Sequence, residues 1–202
     1  MNKGNLFIVS GPSGTGKGTI CNELLKYDDI FLSVSVTTRN RRNDEIDGVT
    51  YFYDTIDGFK KRIDNGLMLE WAQYGDNYYG TPKDVVEEKL NAGINVILEI
   101  EVQGALKVKA QMPEAVMIFV VPPSMDELYS RLINRGREEK KEIAKRIKIA
   151  NGELLKASLY NYIVINDELS ESVAEVRRII DDRKHQMEFI NSLIDSSQKV
   201  LL

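Results

Sequence analysis

The stretch "LFIVSGPSGTGKGT", residues 6–19, joins an apolar run to a glycine-rich turn. Five apolar or small residues without alternation are typical of a strand that is buried on both faces of a sheet. Gly11, Gly16 and Lys17 then fit G-x-x-x-x-G-K, a loop whose backbone N–H groups surround phosphate oxygens. A helix start adds positive partial charge, and Lys17 adds a full one. The stretch therefore predicts a strand, a phosphate-binding loop and a helix in succession.

Position 18 departs from the strict pattern, in which Ser or Thr follows the lysine and touches Mg²⁺. Gly18 has no hydroxyl, whereas Thr19 follows directly and has one that can contact a phosphate. Because Mg²⁺ readily keeps several of its waters, it does not need that protein ligand. We therefore expect the loop to bind ATP, with Mg²⁺ held mainly through water and phosphates.

The rest of the chain alternates between short apolar runs and helical patterns. Further strand candidates lie at 95–100, 115–121 and 160–165. Helical patterns lie at 20–27, 83–91, 103–111, 124–134 and about 170–193. Ser124 and Glu127 form a capping box that supports one helix start. Strands that alternate with helices predict an α/β fold, a three-layer sandwich with a parallel core sheet.

Two stretches interrupt this alternation. Residues 33–81 are rich in Thr, Tyr, Gly and Arg, with short half-exposed strand patterns, and predict a small inserted subdomain. Residues 135–146 are almost all charged, which fits either a solvated helix face or a mobile lid.

Composition excludes several classes of function. The chain has 202 residues, enough for one domain, and a net charge of −4, which argues against a general nucleic-acid binder. Cys21 is the single cysteine, so an intrachain disulfide is excluded, and His185 is the single histidine, so a histidine metal site is not expected. With no apolar run of membrane-spanning length and a polar start, we expect a cytoplasmic protein.

Several motifs occur in one order: "GPSGTGKGT", "SVSVTTRNRR", "YFY", "EWAQYGDNYYGT", "LEIEVQG" and "VPPS". Together they closely resemble the guanylate kinase family over residues 4–183. The resemblance implies transfer of the γ-phosphate of ATP to GMP, and also to dGMP, with Mg²⁺ as cofactor. It implies a core at 1–32, 82–125 and 151–202, a GMP-binding subdomain at 33–81 and a lid at 126–150. The implied partners are small nucleotides, without nucleic acid or membrane, and monomer and dimer both stay open.

The resemblance assigns the phosphate of GMP to four side chains: Arg39, Arg42, Tyr51 and Tyr79. Arginine forks bind phosphate bidentately, and tyrosine hydroxyls donate hydrogen bonds, so the chemistry agrees. The alternative is surface charge beside core aromatics.

Guanine offers donors at N1 and N2 and an acceptor at O6. By resemblance, Glu70 and Glu101 accept from the donors, and Ser35 and Thr81 donate to O6. Adenine has the opposite polarity and would leave buried polar groups unpaired. The alternatives are that Glu70 caps a strand and that Thr81 caps the helix before Pro82.

The transfer itself needs charge close to the phosphates. The resemblance gives catalytic roles to Lys17, Arg42 and the lid residues Arg131, Arg135 and Arg146. Glu99 is expected near the Mg²⁺ waters, with Thr19 as a further candidate. Asn166 is either a contact to the base of ATP or a turn residue. The ATP-binding set is completed by the loop: Gly11, Pro12, Ser13, Gly14, Thr15, Gly16, Lys17, Gly18 and Thr19.

Two other functions compete with this one. A kinase for another nucleoside monophosphate needs a different base pocket, and Glu70 with Glu101 argues against adenine. A noncatalytic module of the same fold that binds phosphorylated peptides typically has a degenerate loop. Lys17 is intact, which favours the enzyme.

Overall fold

The structure, a computed structural model, describes residues 3–134 and 140–200, apart from the side chains of 74, 140, 141 and 187–200. The strands are β1 (Leu6–Ser10), β2 (Ile30–Leu32), β3 (Val36–Thr37), β4 (Phe52–Tyr53), β5 (Met68–Tyr74), β6 (Asn77–Pro82), β7 (Asn95–Glu99), β8 (Val116–Val121) and β9 (Tyr162–Ile165). The helices are α1 (Lys17–Leu24), α2 (Ile56–Asp64), α3 (Lys83–Asn91), α4 (Val102–Gln111), α5 (Met125–Asn134), α6 (Lys140–Leu154) and α7 (Leu169–Val200).

The core is a five-stranded sheet in the order β2-β7-β1-β8-β9, with every neighbouring pair parallel. Its central strand β1 is buried along its whole length. Leu6 and Ile8 face one apolar cluster, which also holds side chains of α3 and α4. Phe7 and Val9 face a second cluster, which holds side chains of α1 and α7. The predicted burial of this strand on both faces and the predicted three-layer α/β fold are therefore confirmed.

Some element boundaries differ from the sequence prediction. β2 was not predicted, because a strand of three residues is too short to show a periodicity. α1 spans Lys17–Leu24 instead of 20–27, so it begins at the loop lysine itself. The last helix continues to Val200, beyond the predicted end near 193. The predicted cap is present, since the Glu127 N–H donates to Ser124 Oγ at 3.1 Å.

A second, four-stranded sheet with the order β4-β3-β6-β5 is built from residues 36–82. β5 and β6 form an antiparallel hairpin, and Gly75 at its turn has a φ of 58°, which favours glycine. Helix α2 packs on this sheet through Phe59, which is buried with Val36 and Met68. The sheet thus has a small core of its own, and its strand β5 packs against α4.

Within the described ranges, no helix is long and apolar enough to cross a membrane. Helix α7 is long, with 32 residues, but charged residues interrupt its apolar stretches. Arg177 on this helix contacts Asp29 at 2.6 Å and Asp181 at 2.6 Å, and so fastens α7 to the turn before β2. His185 is exposed on the same helix, as the sequence predicted.

Candidate nucleotide site

The glycine-rich loop lies at the carboxyl edge of the core sheet, where open α/β sheets bind their ligands. Val9 of β1 is in register with Glu99 of β7, so the loop begins beside the end of the next strand. Lys17 Nζ donates to the carbonyl oxygens of Gly11 at 2.7 Å and Pro12 at 2.9 Å. Burial lowers the pKa of Lys17, and the nearby Glu99 carboxylate opposes that shift. The ammonium is therefore held inside the loop, close to where phosphate oxygens would lie.

Two loop glycines are required by close contacts. Gly11 has a φ of 137°, and a Cβ there would lie 2.2 Å from the carbonyl oxygen of Val120. Gly16 has a φ of 89°, and its Cβ would lie 2.3 Å from Nδ2 of Asn166. Both conformations are ones that residues with a Cβ rarely adopt. The glycine spacing that identified the loop thus has a steric cause.

Gly18 faces the carboxylate that ends β7. A Cβ at position 18 would lie 3.3 Å from Oε2 of Glu99. A hydroxyl at this position would therefore extend to the Glu99 carboxylate. Thr19, one residue further along α1, lines a pocket on another side of the loop together with Gly16.

The arginine-rich segment after β3 is organised by Glu45. One oxygen of Glu45 accepts from Arg39 Nη2 at 2.7 Å, and the other accepts from Tyr53 Oη at 2.8 Å and from the backbone N–H of Arg42 at 2.9 Å. These donors, the Arg39 guanidinium first, lower the pKa of Glu45 to about 2. Glu45 is not among the site residues predicted from the sequence. An acidic residue at the end of the arginine-rich stretch "RNRRNDE" is the signal that could have indicated it.

Three of the four side chains predicted to hold the acceptor phosphate lie together. The guanidinium carbon of Arg39 is 5.6 Å from the ring centre of Tyr51, and Tyr51 meets Tyr79 edge-on at 6.0 Å. Arg42 joins them through its backbone contact with Glu45, and its side chain is exposed. The cluster combines positive charge with hydroxyl donors at one end of the second sheet.

A buried carboxylate lies between the second sheet and α4. Glu70 is 7% exposed, and burial raises its pKa. Glu70 and Thr81 are paired across β5 and β6, and Thr81 Oγ1 donates to Glu70 Oε1 at 3.0 Å. The N-cap of α3 is Pro82, so the alternative that Thr81 caps this helix is wrong.

Of the remaining members of the predicted base pocket, Glu101 lies close enough to Glu70 for its charge to act on it. Glu101 is the N-cap residue of α4, and its negative charge contributes to the raised pKa of Glu70. Gly104 lets the Glu70 carboxylate lie against α4, because a Cβ at position 104 would be 2.8 Å from Oε2 of Glu70. Ser35 lies in the link to the second sheet, where its carbonyl accepts from the N–H of Phe52 at 2.9 Å.

One predicted arginine contacts the loop, and another lines the pocket beside it. Arg146 Nη1 on α6 contacts Ser13 Oγ at 3.1 Å. Arg131 Nε on α5 donates to Glu127 Oε1 at 2.7 Å. Arg135 lies outside the described residues. Arg131 lines a pocket of about 430 Å³, and the other residues of that pocket are Gly14, Gly16, Thr19, Asn134, Asn166, Asp167 and Leu169.

The central parallel strand is followed by a glycine-rich loop and a helix, and the second sheet presents arginines and a buried carboxylate. These features define a phosphate-loop kinase that acts on a small acceptor. Known proteins of similar sequence belong to the same class. The guanylate kinase family model matches residues 3–183. The guanylate kinase of Clostridium acetobutylicum is 48% identical over 197 residues, which is 97% of this chain and 94% of that protein. That of Caldanaerobacter subterraneus subsp. tengcongensis is 51% identical over 179 residues, 88% of this chain and 87% of that protein.

A solved structure agrees as well. The crystal structure of guanylate kinase from Anaplasma phagocytophilum superimposes with a TM-score of 0.75 at 31% identity, and the match covers 90% of this chain and 87% of that one. The chain belongs to the guanylate kinase family. It is accordingly an enzyme of the nucleoside monophosphate kinase class.

Proposed function

We propose that the chain transfers the γ-phosphate of ATP to GMP, giving ADP and GDP. The observation that carries this proposal is the buried Glu70 carboxylate, which Thr81 orients at 3.0 Å. A carboxylate in such a site accepts hydrogen bonds from the N–H donors of guanine. It cannot pair with adenine in the same way, because the ring nitrogen of adenine at that position is itself an acceptor. We extend the proposal to dGMP, because the assigned contacts are to the base and the phosphate and none is to the 2′-hydroxyl.

The donor side is the loop. Residues 11–19 hold the β- and γ-phosphates of ATP through backbone N–H groups, and Lys17 exchanges the carbonyls of Gly11 and Pro12 for phosphate oxygens. The adjoining pocket, whose lining includes Asp167 and Leu169, receives the base. Thr19 lies in α1 directly after the loop and lines the pocket next to Gly14 and Gly16, so we assign its hydroxyl to a phosphate of ATP.

The acceptor side is the second sheet. Arg39, Arg42, Tyr51 and Tyr79 hold the phosphate of GMP. Support comes from Glu45, which orders Arg39 before the nucleotide binds and so reduces the side-chain entropy lost on binding. Glu70 and Glu101 accept from guanine N1–H and N2–H₂, and Ser35 donates to O6. Thr81 already gives its hydroxyl hydrogen to Glu70, so its main contribution is to orient that carboxylate.

No general base is required for this reaction. The acceptor atom is a phosphate oxygen that is already deprotonated at neutral pH, so placement and charge dominate catalysis. Lys17, Arg131 and Arg146 offset the repulsion between the two polyanions, and we assign the same role to Arg135. A single well-placed arginine contributes roughly 10³-fold or more in related transfers.

Mg²⁺ fits the groups beside Gly18. The Glu99 carboxylate is a hard oxygen donor next to the loop, which suits Mg²⁺. Within the described ranges, no three His, Cys, Asp or Glu side chains are grouped to hold a metal ion, so phosphates and waters supply the other positions. When bound, the ion offsets charge on the β- and γ-phosphates. Glu99 would accept hydrogen bonds from the waters of a bound ion, and the lack of a side chain at Gly18 keeps the space beside that carboxylate open.

A coupled assay of ADP release tests the proposal. The purified chain is given ATP with GMP, AMP, UMP and dTMP in turn. We expect rapid release with GMP and at most slow release with the other three. Comparable rates with AMP would contradict the guanine assignment, and no release with any acceptor would favour a binding module without catalysis.

A further inference from the structure

Asn166 directly follows β9, and both polar atoms of its side-chain amide are hydrogen-bonded to the protein. It is 6% exposed. Its Nδ2 donates to the carbonyl oxygen of Thr15, inside the phosphate loop, at 2.7 Å. Its Oδ1 lies 3.0 Å from Ser172 Oγ, on the first turn of α7, and is the nearest of three acceptors around that hydroxyl. The side chain thus joins α7 and β9 to one peptide group of the loop.

That peptide group has two ends with different roles. In a trans peptide the N–H points opposite to the C=O, and the described chain contains no cis peptide. Because Asn166 holds the carbonyl of Thr15, the N–H of Gly16 points away from Asn166. The backbone N–H groups of such a loop are the donors that bind phosphate. Gly16 packs directly against the same amide, since a Cβ there would lie 2.3 Å from Nδ2.

We propose that Asn166 is a positioning residue for phosphate binding, which acts by fixing the direction of the Thr15–Gly16 peptide, and that Ser172 holds Asn166 in turn. The proposal rests on the donor site described above. It differs from the expectation that Asn166 contacts the base of ATP. If Asn166 sets the loop, its removal weakens binding of any polyphosphate, with or without a base.

The test therefore compares two ligands by calorimetry: ATP, and inorganic tripolyphosphate, which has no base. The variant is Asn166→Ala, and both affinities are expected to fall by a similar factor of about ten, as for a buried carbonyl that loses its donor. Asn161→Ala is the matched control, because Asn161 lies at the other end of β9 and also bonds one backbone group, the N–H of Met117 at 2.8 Å. It is expected to leave both affinities unchanged.

The outcomes separate the two roles. A loss for ATP with unchanged tripolyphosphate affinity would show a base contact and overturn the proposal, and so would unchanged affinity for both. GMP affinity and the thermal unfolding midpoint report whether the fold and the acceptor side are intact. If Asn166→Ala does not fold, Ser172→Ala decides in the same way, with a smaller loss for both ligands expected. Wild-type turnover of GMP, measured beforehand, keeps a failure here distinct from a failure of the proposed function.

Discussion

Glu45 and Arg39 form a salt bridge at 2.7 Å, and the same carboxylate accepts hydrogen bonds from the Tyr53 hydroxyl and the backbone N–H of Arg42. Arg39, which we propose binds the phosphate of GMP, is therefore held in place by an acid before any nucleotide binds. An ordered guanidinium loses less side-chain entropy when it binds its ligand.

Glu45→Gln should raise KM for GMP more than it lowers kcat. Releasing Arg39 restores side-chain freedom worth about 0.5–1.5 kcal/mol, which corresponds to a KM increase of about two- to tenfold. Steady-state kinetics with GMP varied at saturating ATP measures it. An equal rise in KM for ATP would point to a general loss of structure and contradict the local role.

The same pair predicts a dependence of stability on pH. The folded-state pKa of Glu45 is lowered to about 2, below its unfolded value. Its contribution is therefore present above the unfolded pKa and is lost as pH falls through the folded one. The difference in free energy of unfolding between wild type and Glu45→Gln should shrink between about pH 4.5 and pH 2. A difference that is constant over this range would contradict the ion pair.

Lys17→Ala should lower turnover by at least about a hundredfold, because the variant removes a preorganised charge from the reacting phosphates. The fold should persist, since the lysine donates its hydrogen bonds to carbonyls of its own loop. Lys26→Ala, at an exposed position beyond α1, is the matched control and should keep wild-type rates. Near-normal GMP phosphorylation by folded Lys17→Ala would remove the basis for the phosphate-loop assignment.

Gly18→Ser should change kcat/KM by less than about tenfold. The new hydroxyl extends toward Glu99, where it can donate to the carboxylate or reach the ion, and neither removes charge from the site. Gly18→Val fills the same space without a hydroxyl and should cost more activity. A crystal structure with an ATP analogue and Mg²⁺ in which Thr19 binds the ion directly would contradict the water-held arrangement.

Gly104→Ala tests the position of Glu70 without changing Glu70. The added Cβ would lie 2.8 Å from Oε2, so the carboxylate must shift, whereas alanine favours the helix by about 1 kcal/mol over glycine. We expect little change in thermal stability and a fall in kcat/KM for GMP of about tenfold. Gly152→Ala in α6 is the control, because no atom lies within 4 Å of its Cβ position. Equal kinetics for the two variants would mean that Glu70 does not need its observed place.

The sequence predicted the features that depend on one segment. The loop and its strand are local patterns, and the order of apolar runs and helices was sufficient for the parallel core sheet. The short strand β2 escaped because three residues carry no period. The resemblance to a family, and not periodicity, supplied the assignment of the acceptor residues.

Contacts between distant segments could not be read from the sequence. The close approach of Gly104 to Glu70 joins a helix to a strand of another sheet, and no local pattern encodes it. The sequence alone allows Asn166 to be a base contact or a turn residue. In the structure its amide donates a hydrogen bond to the loop carbonyl of Thr15. Such roles depend on where a side chain ends, which spacing along the chain does not fix.

We propose that Glu70 and Glu101 select guanine. The ratio of kcat/KM for GMP to that for AMP, compared between wild type, Glu70→Gln and Glu101→Gln, measures this selection. Each carboxylate should contribute about 1.5–3 kcal/mol to guanine binding, because hydrogen bonds to charged groups are strong. The amide places a donor against a donor, while the contacts to the phosphate are untouched. We predict at least about a tenfold loss with GMP and a smaller ratio in both variants. Wild-type GMP kinetics and an unchanged ratio in both variants would contradict the guanine pocket.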